Sequence, residues 1–120
     1  MKEIKAYVRV EIVQQVVDAL ERKGFCCMTV IDVSALGNLA DPAQSKYSLE
    51  FVERYSKKAR IELVCKDSDA DTVVEVIQKN GCTHQHGDGI IFVLPVERAV
   101  KIRTAAEGDE ILQMPSAQQM

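Results

Sequence analysis

The feature that most constrains the fold of this chain is an internal repeat. Residues 16–25 read VVDALERKGF and residues 73–82 read VVEVIQKNGC, so each segment runs from a valine pair through an acidic residue to a glycine. In both segments apolar residues recur at the three- and four-residue spacing that places them on one face of a helix. Gly24 and Gly81 stand where a left-handed residue commonly ends a helix, and residues 67–69 offer N-caps for the second one. The repeat predicts two amphipathic helices in equivalent positions.

An alternating pattern precedes each predicted helix, and an apolar run follows it. Residues 4–10 and 60–66 alternate apolar with polar side chains, which is the period of a half-buried strand. Residues 28–33 and 90–94 are the apolar runs that follow. Two such units with short turns predict an α+β, ferredoxin-like βαββαβ fold, in which an antiparallel sheet carries two helices on one face.

The end of the chain is predicted to hold one more strand and a tail. Residues 99–103 alternate and indicate a short last strand. Residues 113–120 are mostly polar and are expected to be poorly ordered. Residues 1–112 are therefore expected to form one domain.

A long connection joins the two halves. Residues 37–58 have no clean period and contain several turn-forming residues, and a connection of this length in a small domain is usually functional or disordered. The spacing of Leu49, Val52 and Tyr55 also allows a short helix near its end.

Composition excludes several functional classes. The chain has 120 residues and a formal net charge of −3, which argues against a dedicated nucleic-acid binder. No apolar run approaches the roughly 18 residues of a membrane span, and the N-terminus does not read as an export signal. We therefore expect a cytoplasmic protein whose four cysteines are thiols. Because a small domain has little room for a deep pocket of its own, a ligand site is expected to be shallow or shared between chains.

Two groups of residues are candidates for binding an anion, and each also has an ordinary structural interpretation. Gly87, Asp88 and Gly89 form a glycine-flanked turn whose backbone N–H groups can approach a phosphate, although the same sequence is common in tight turns. Lys101 and Arg103 alternate along the predicted last strand and are expected on one face. Two cations on one face could bind a polyphosphate, or they could simply form a solvated surface of the strand.

A thiol and two imidazoles form the third candidate group. Cys82, His84 and His86 alternate before the glycine turn and are possible ligands for zinc or copper, or simply a polar loop. Cys26 and Cys27 lack the spacer of a redox motif and are expected to be buried apolar thiols. Since no nucleophile, base and orienting acid are evident from spacing, the chain is not expected to be an enzyme.

Several stretches resemble the PII signal-transduction family. They are MKEIKA at 1–6, CMTV at 27–30, IELV at 61–64 and the strongest match, GDGIIFV at 87–93, followed by PV at 95–96 and VKIRT at 100–104. The resemblance covers residues 1–112. It implies a ferredoxin-like trimer that binds adenine nucleotides in clefts between subunits. It also implies that the connection at 37–58, called the T-loop in this family, docks onto target proteins.

The resemblance also implies a role for individual residues. Thr29, Glu62 and Val64 would line the adenine and ribose side, the glycine turn would wrap the phosphates, and the last two cations would reach in from the neighbouring subunit. The implied nucleotide-binding residues are Thr29, Gly37, Asn38, Glu62, Val64, Gly87, Asp88, Gly89, Lys101 and Arg103.

Four departures from the family pattern shape the expected function. Asn38 stands where the family usually has arginine, Leu39 where it has a glutamine that binds magnesium and 2-oxoglutarate, Ile90 where it has lysine, and Lys101 where it has arginine. Fewer cations should weaken the γ-phosphate end, so ADP or AMP should compete well with ATP. The departures indicate a divergent PII-like branch outside the nitrogen-sensing one.

We accordingly expect a trimeric, non-enzymatic regulator that binds adenine nucleotide. Its target would be a membrane transporter or a metabolic enzyme, and bicarbonate is the first candidate for a second effector. The alternative is a metal-binding or metal-efflux-associated PII-like protein that uses Cys82, His84 and His86.

Overall fold

In the part of the chain that the structure describes, four strands and two helices follow the order that the repeat predicts, and one further strand of two residues lies between the halves. The structure is a computed structural model that describes residues 1–25, 27–37, 46–47 and 54–112. Its elements are β1 (Lys2–Arg9), α1 (Val13–Arg22), β2 (Thr29–Leu36), β3 (Lys46–Tyr47), β4 (Arg54–Cys65), α2 (Ala70–Gly81) and β5 (Ile91–Pro95). Short 3-10 helices lie at Val10–Ile12, Asp67–Asp69 and Asp109–Leu112.

The strands form one antiparallel sheet in the order β2-β4-β1-β5, with β3 paired to β4. In β1 the apolar residues of the alternating pattern, Ile4, Ala6 and Val8, are buried. Opposite them, Ile4 pairs with Leu63 and Ala6 with Ile61, so the apolar positions of β1 and β4 share one face. The predicted ferredoxin-like fold is confirmed.

Both helices cover that apolar face. Val16 and Leu20 of α1 and Val73 and Ile77 of α2 are nearly inaccessible and belong to the same core cluster as the inward side chains of the sheet. Burial of each such side chain contributes about 1.5–3 kcal/mol to the free energy of folding. Among the described residues no helix is long and apolar enough to span a membrane.

The helix ends differ in part from the prediction. Gly24 has a φ of +95° and follows α1 as expected. The prediction for Gly81 is wrong, because it is the last residue of α2. Its α-carbon lies close to the sheet and to α1, where an added Cβ would lie 3.6 Å from Val8 Cγ1 and 3.8 Å from Val16 Cγ2. Asp69 occupies the N-cap position without a side-chain capping bond.

The predicted last strand is not formed. Val100 makes an isolated bridge to Glu107, and the chain between them closes a tight loop. The loop is held by hydrogen bonds from Lys101 N to Ala106 O and from Ala105 N to Lys101 O, both 2.8 Å. These local bonds replace the ladder that a strand at 99–103 would need.

The connection between the halves is shorter than predicted on its C-terminal side. β4 begins at Arg54, so residues 54–58 belong to this strand although they fall inside the predicted connection at 37–58. Tyr55 is a strand residue, while Leu49, Val52, the tail at 113–120 and Cys26 lie outside the described residues. Cys27 is exposed, which corrects the prediction that it is buried.

Candidate functional site

A cavity of about 290 Å³ lies at the start of β2 and the end of β4. Thr29 is the register partner of Glu62, and Val64 follows two residues later on the same face of β4. The lining residues are Glu3, Cys27, Thr29, Glu62, Leu63, Val64, Ile111 and Leu112. Its volume lies near the lower end of the roughly 300–1,000 Å³ typical of small-molecule sites. Three residues chosen from the sequence therefore share one cavity.

The carboxylate in this cavity is held by neighbouring cations. Arg60 Nε lies 2.7 Å from Glu62 Oε1, and Lys5 Nζ lies 3.8 Å from the same oxygen. Lys5 and Glu62 are register partners on β1 and β4, so the sheet itself sets this arrangement. A fixed carboxylate is an acceptor for a hydroxyl donor, which is the chemistry that a ribose offers.

The glycine turn, defined here as Gly87–Gly89, is held by Asp88. Thr83 donates to its carboxylate from the backbone N at 2.7 Å and from Oγ1 at 2.5 Å. Arg9 donates from Nε to Asp88 Oδ1 at 2.9 Å and from an Nη atom to His86 O at 2.8 Å. The turn is thus tied to the end of β1 and to the residue that follows Cys82.

These contacts shift the pKa of Asp88. Partial burial of the carboxyl works to raise the pKa, but hydrogen bonds from Thr83 and the charge of Arg9 outweigh it. The net result is a pKa well below the usual range for aspartate, so Asp88 is ionised throughout the physiological range.

A buried lysine supports the same turn from β4. Lys58 is almost fully inaccessible, and its Nζ donates to the Gly87 carbonyl. Burial lowers the pKa of Lys58, and repulsion from Arg9 lowers it further against attraction from Glu11 and Asp88. Arg9 and Lys58 are register partners, so two positive charges meet beside a turn that carries one carboxylate.

Gly89 is required by packing. A Cβ at this position would lie 1.7 Å from the Tyr7 carbonyl oxygen, where β5 joins β1. Tyr7 N also donates to Ile90 O at 2.9 Å, which fixes this approach. Close packing against β1 is therefore enough to explain the glycine at position 89, with or without a bound ligand.

Other predicted site residues are not brought together within one chain. Lys101 and Arg103 are exposed in the loop after β5, and the strand argument that put them on one face fails. Gly37 has a φ of +65° at the end of β2, and Asn38 lies outside the described residues. Arg98, a third nearby cation, pairs with Glu107 at 2.6 Å.

Only two of the three proposed metal ligands have side chains in contact in the described structure. Cys82 Sγ lies 3.6 Å from His84 Nδ1, while the His86 backbone carbonyl accepts from Arg9. Within the ranges that the structure describes, no three His, Cys, Asp or Glu side chains converge as a metal site would require. The extended alternation on which the metal alternative depended is broken at His84, whose φ is +60°.

Comparison with known proteins decides the family. The model of the family "Nitrogen regulatory protein P-II" matches residues 1–106. The chain belongs to the P-II family. It is 40% identical over 108 residues to nitrogen regulatory protein P-II 2 of Methanothermobacter thermautotrophicus, with 90% of this chain and 94% of that protein covered. It is 33% identical over 112 residues to nitrogen regulatory protein P-II of Azospirillum brasilense, with 93% and 100% covered.

A solved structure supports the assignment. The crystal structure of Arabidopsis thaliana PII bound to citrate superposes with a TM-score of 0.77 at 29% identity, covering 94% of this chain and 90% of that one. P-II proteins are regulatory, and trimers that bind effectors and target proteins are typical of the family.

Proposed function

We propose that this P-II protein forms a trimer and binds adenine nucleotide in the clefts between its subunits. The observation that carries the proposal is the single cavity shared by Thr29, Glu62 and Val64. It combines an apolar wall, a hydroxyl and a fixed carboxylate, which suit a base and a ribose. The cavity is not enclosed within this chain, as expected of a site that a second subunit completes.

The glycine turn is the proposed phosphate end of the site. Arg9 and Lys58 lie behind it, where Asp88 and Glu11 offset their charge, so the proposed affinity for a phosphate rests on the backbone N–H groups of the turn. Arg103 and Lys101 of a neighbouring subunit would add charge from outside. Their exposure in this chain is consistent with that role.

ADP or AMP is proposed to bind as tightly as ATP or more tightly. Ile90 is 43% exposed beside the glycine turn and carries no charge where the family has lysine. Each charge-assisted bond that is lost weakens binding by about 1.5–3 kcal/mol. The γ-phosphate needs the most charge compensation, so its binding should be weakened most.

The proposed output is control of a partner through residues 37–58. Nucleotide binding would change the affinity of this segment for a cytoplasmic target, a membrane transporter or a metabolic enzyme. The size of this change is limited by how differently the nucleotide binds the two conformations of the protein. Leu39 has no magnesium ligand, so bicarbonate is proposed as the second effector in place of 2-oxoglutarate. Because its relatives are named nitrogen regulatory proteins, nitrogen signalling is the competing proposal for its function.

Isothermal titration calorimetry with matched variants tests the proposal. Thr29→Val should weaken ADP binding about tenfold by removing a hydroxyl from the cavity, whereas Thr72→Val, on the exposed side of α2, should not. Arg103→Ala should weaken ADP binding by more than Arg98→Ala, because Arg98 is already paired with Glu107.

Three results would contradict the proposal. The first is absence of ADP binding, and the second is equal affinity of Thr29→Val and Thr72→Val. The third is measurable binding of 2-oxoglutarate in the presence of magnesium and ATP, which would return the chain to the nitrogen-sensing branch.

A further inference from the structure

Cys82 and His84 form a thiol–imidazole pair beside the glycine turn. The Sγ to Nδ1 distance is 3.6 Å, within hydrogen-bonding range for sulfur. Cys82 is half-buried and His84 is exposed, and the contact between their side chains lies at the surface. Two adjacent groups of this type are the minimal arrangement for a thiol that loses its proton to a neighbouring base.

The backbone holds the imidazole in this position. His84 has a φ of +60°, in the left-handed region that costs a non-glycine residue free energy. This bend brings the side chain back toward Cys82, two residues earlier. Cys82 is the C-cap residue that follows α2, where the negative end of the helix disfavours a thiolate, so the neighbouring imidazole is the group that would have to accept the proton.

The sulfur is also linked to the network around Asp88. Thr83, the next residue, makes two of the hydrogen bonds that hold the Asp88 carboxylate. Cys82 lines a cavity of about 130 Å³ together with Asp88 and Gly89. At about 30 Å³ per water molecule this space holds roughly four waters, so an adduct on the sulfur that entered it would crowd Asp88 and Gly89.

We propose that Cys82 is a site of thiol–disulfide exchange, with His84 as its general base, and that the adduct releases Asp88. The Cys82 proton passes to His84 Nδ1, and the thiolate attacks one sulfur of a low-molecular-weight disulfide. A new S–S bond forms at Cys82, the original S–S bond breaks, and the leaving thiolate takes up the proton. Cys82 is oxidised to a mixed disulfide, and one thiol of the reagent is produced by reduction.

Peptide mapping of the intact protein tests the site without any variant. The protein is treated with glutathione disulfide, quenched with acid and digested with trypsin. Cleavage gives peptide 80–98 for Cys82, peptide 24–46 for Cys26 and Cys27, and peptide 61–66 for Cys65. We expect peptide 80–98 to gain glutathione about tenfold faster than the other two. An equal or faster rate for peptide 24–46 would overturn the proposal, because Cys27 is itself exposed.

A second experiment tests the role of the imidazole. His84→Gln should slow modification of peptide 80–98 about tenfold and leave peptide 24–46 unchanged. His86→Gln is the matched control, since the described contact of His86 uses its backbone carbonyl. Equal rates in the wild-type protein and His84→Gln would show that His84 is not the general base and would overturn the proposal.

The release of Asp88 has its own measurement. The glutathionylated protein should unfold at lower urea than the reduced protein, and the shift should be smaller in Thr83→Val, which lacks the hydroxyl bond to Asp88 but keeps the backbone one. No difference in the urea midpoint of the wild-type protein would overturn this part.

An effect on ligand binding rests on the proposed function. If the glycine turn binds phosphate, glutathionylation should weaken ADP binding about tenfold. If the reduced protein binds no ADP, the proposed function fails while the mapping result still decides the thiol site. If ADP binds equally well to both forms, the coupling between the two sites is excluded.

Discussion

Arg9 Nε lies 2.9 Å from Asp88 Oδ1, and this ion pair joins the end of the first strand to the turn before the last one. The arginine side chain is 5% exposed and the aspartate 23% exposed, so water screens the pair only partly. Loss of one partner leaves a nearly buried charge with weaker compensation.

Asp88→Asn should therefore destabilise the protein by about 2 kcal/mol. The amide keeps an acceptor for Thr83 but removes the negative charge that faces Arg9. Urea unfolding followed by circular dichroism measures the effect. Asp18→Asn is the matched control, because Asp18 accepts an exposed hydrogen bond from Gln14 and should change the stability by less than about 0.5 kcal/mol. Equal effects of the two variants would contradict the prediction.

The stability of the protein should fall in acid partly through Asp88. Its pKa is lowered in the folded state, so its contribution is fully present above the unfolded pKa of about 3.9. The contribution is lost as the pH falls from there toward the depressed folded value. The difference in unfolding free energy between the wild-type protein and Asp88→Asn should therefore be constant from pH 7 to 5 and shrink below pH 4. A difference that stays constant down to pH 3 would show that another group is responsible.

Gly89→Ala should be among the most damaging single-methyl changes in the chain. The added Cβ would lie 1.7 Å from the Tyr7 carbonyl oxygen, so β5 must move away from β1. We expect a loss of about 3 kcal/mol in urea unfolding. Gly108→Ala provides the comparison, since Gly108 has a φ of +94° but open space around its α-carbon and should cost about 1 kcal/mol. A larger loss for Gly108→Ala would contradict this order.

Ile102→Ser should weaken assembly more than it weakens the fold of one chain. The side chain of Ile102 is 101% exposed, and Val100 nearby is 46% exposed. An apolar residue this exposed contributes little within the subunit and is suited to a contact between subunits. Sedimentation at low micromolar concentration should show a larger fraction of monomer for Ile102→Ser than for Ile102→Val. Identical distributions would place the trimer contact elsewhere.

The predicted helices and core agree closely with the structure because they depend on local periodicity. Val16, Leu20, Val73 and Ile77 lie at helical spacing, and all four are buried between the helices and the sheet. The grouping of Thr29 with Glu62 came from the family resemblance, and strand register places them side by side.

The support of the glycine turn was not predicted, because it depends on contacts between distant parts of the chain. Arg9 and Asp88 are 79 residues apart, and Lys58 and Gly87 are 29 apart. A lysine in a polar stretch is expected to be solvated, but Lys58 is buried in a strand that pairs with β1 on one side and β2 on the other. The alternation of β1 does predict that Arg9 lies on the face of the sheet away from the helices. This is the local sequence signal for its role beside the turn.

The error at 99–103 has a similar origin. The alternating pattern of Val100, Lys101 and Ile102 is compatible with a strand, but a strand requires a neighbour with free backbone groups. Within one chain the backbone of Lys101 bonds instead to Ala105 and Ala106.

The central position of β1 has a consequence for the order in which the protein folds. β1 is synthesised before the other described elements, yet both of its neighbours, β4 and β5, are encoded after residue 53. Pairing on either side must close long loops, which slows folding relative to a chain of local contacts. The first strand therefore lacks β4 until synthesis has passed residue 65 and lacks β5 until it has passed residue 95. The glycine turn acquires its Arg9 support only when synthesis has passed residue 88.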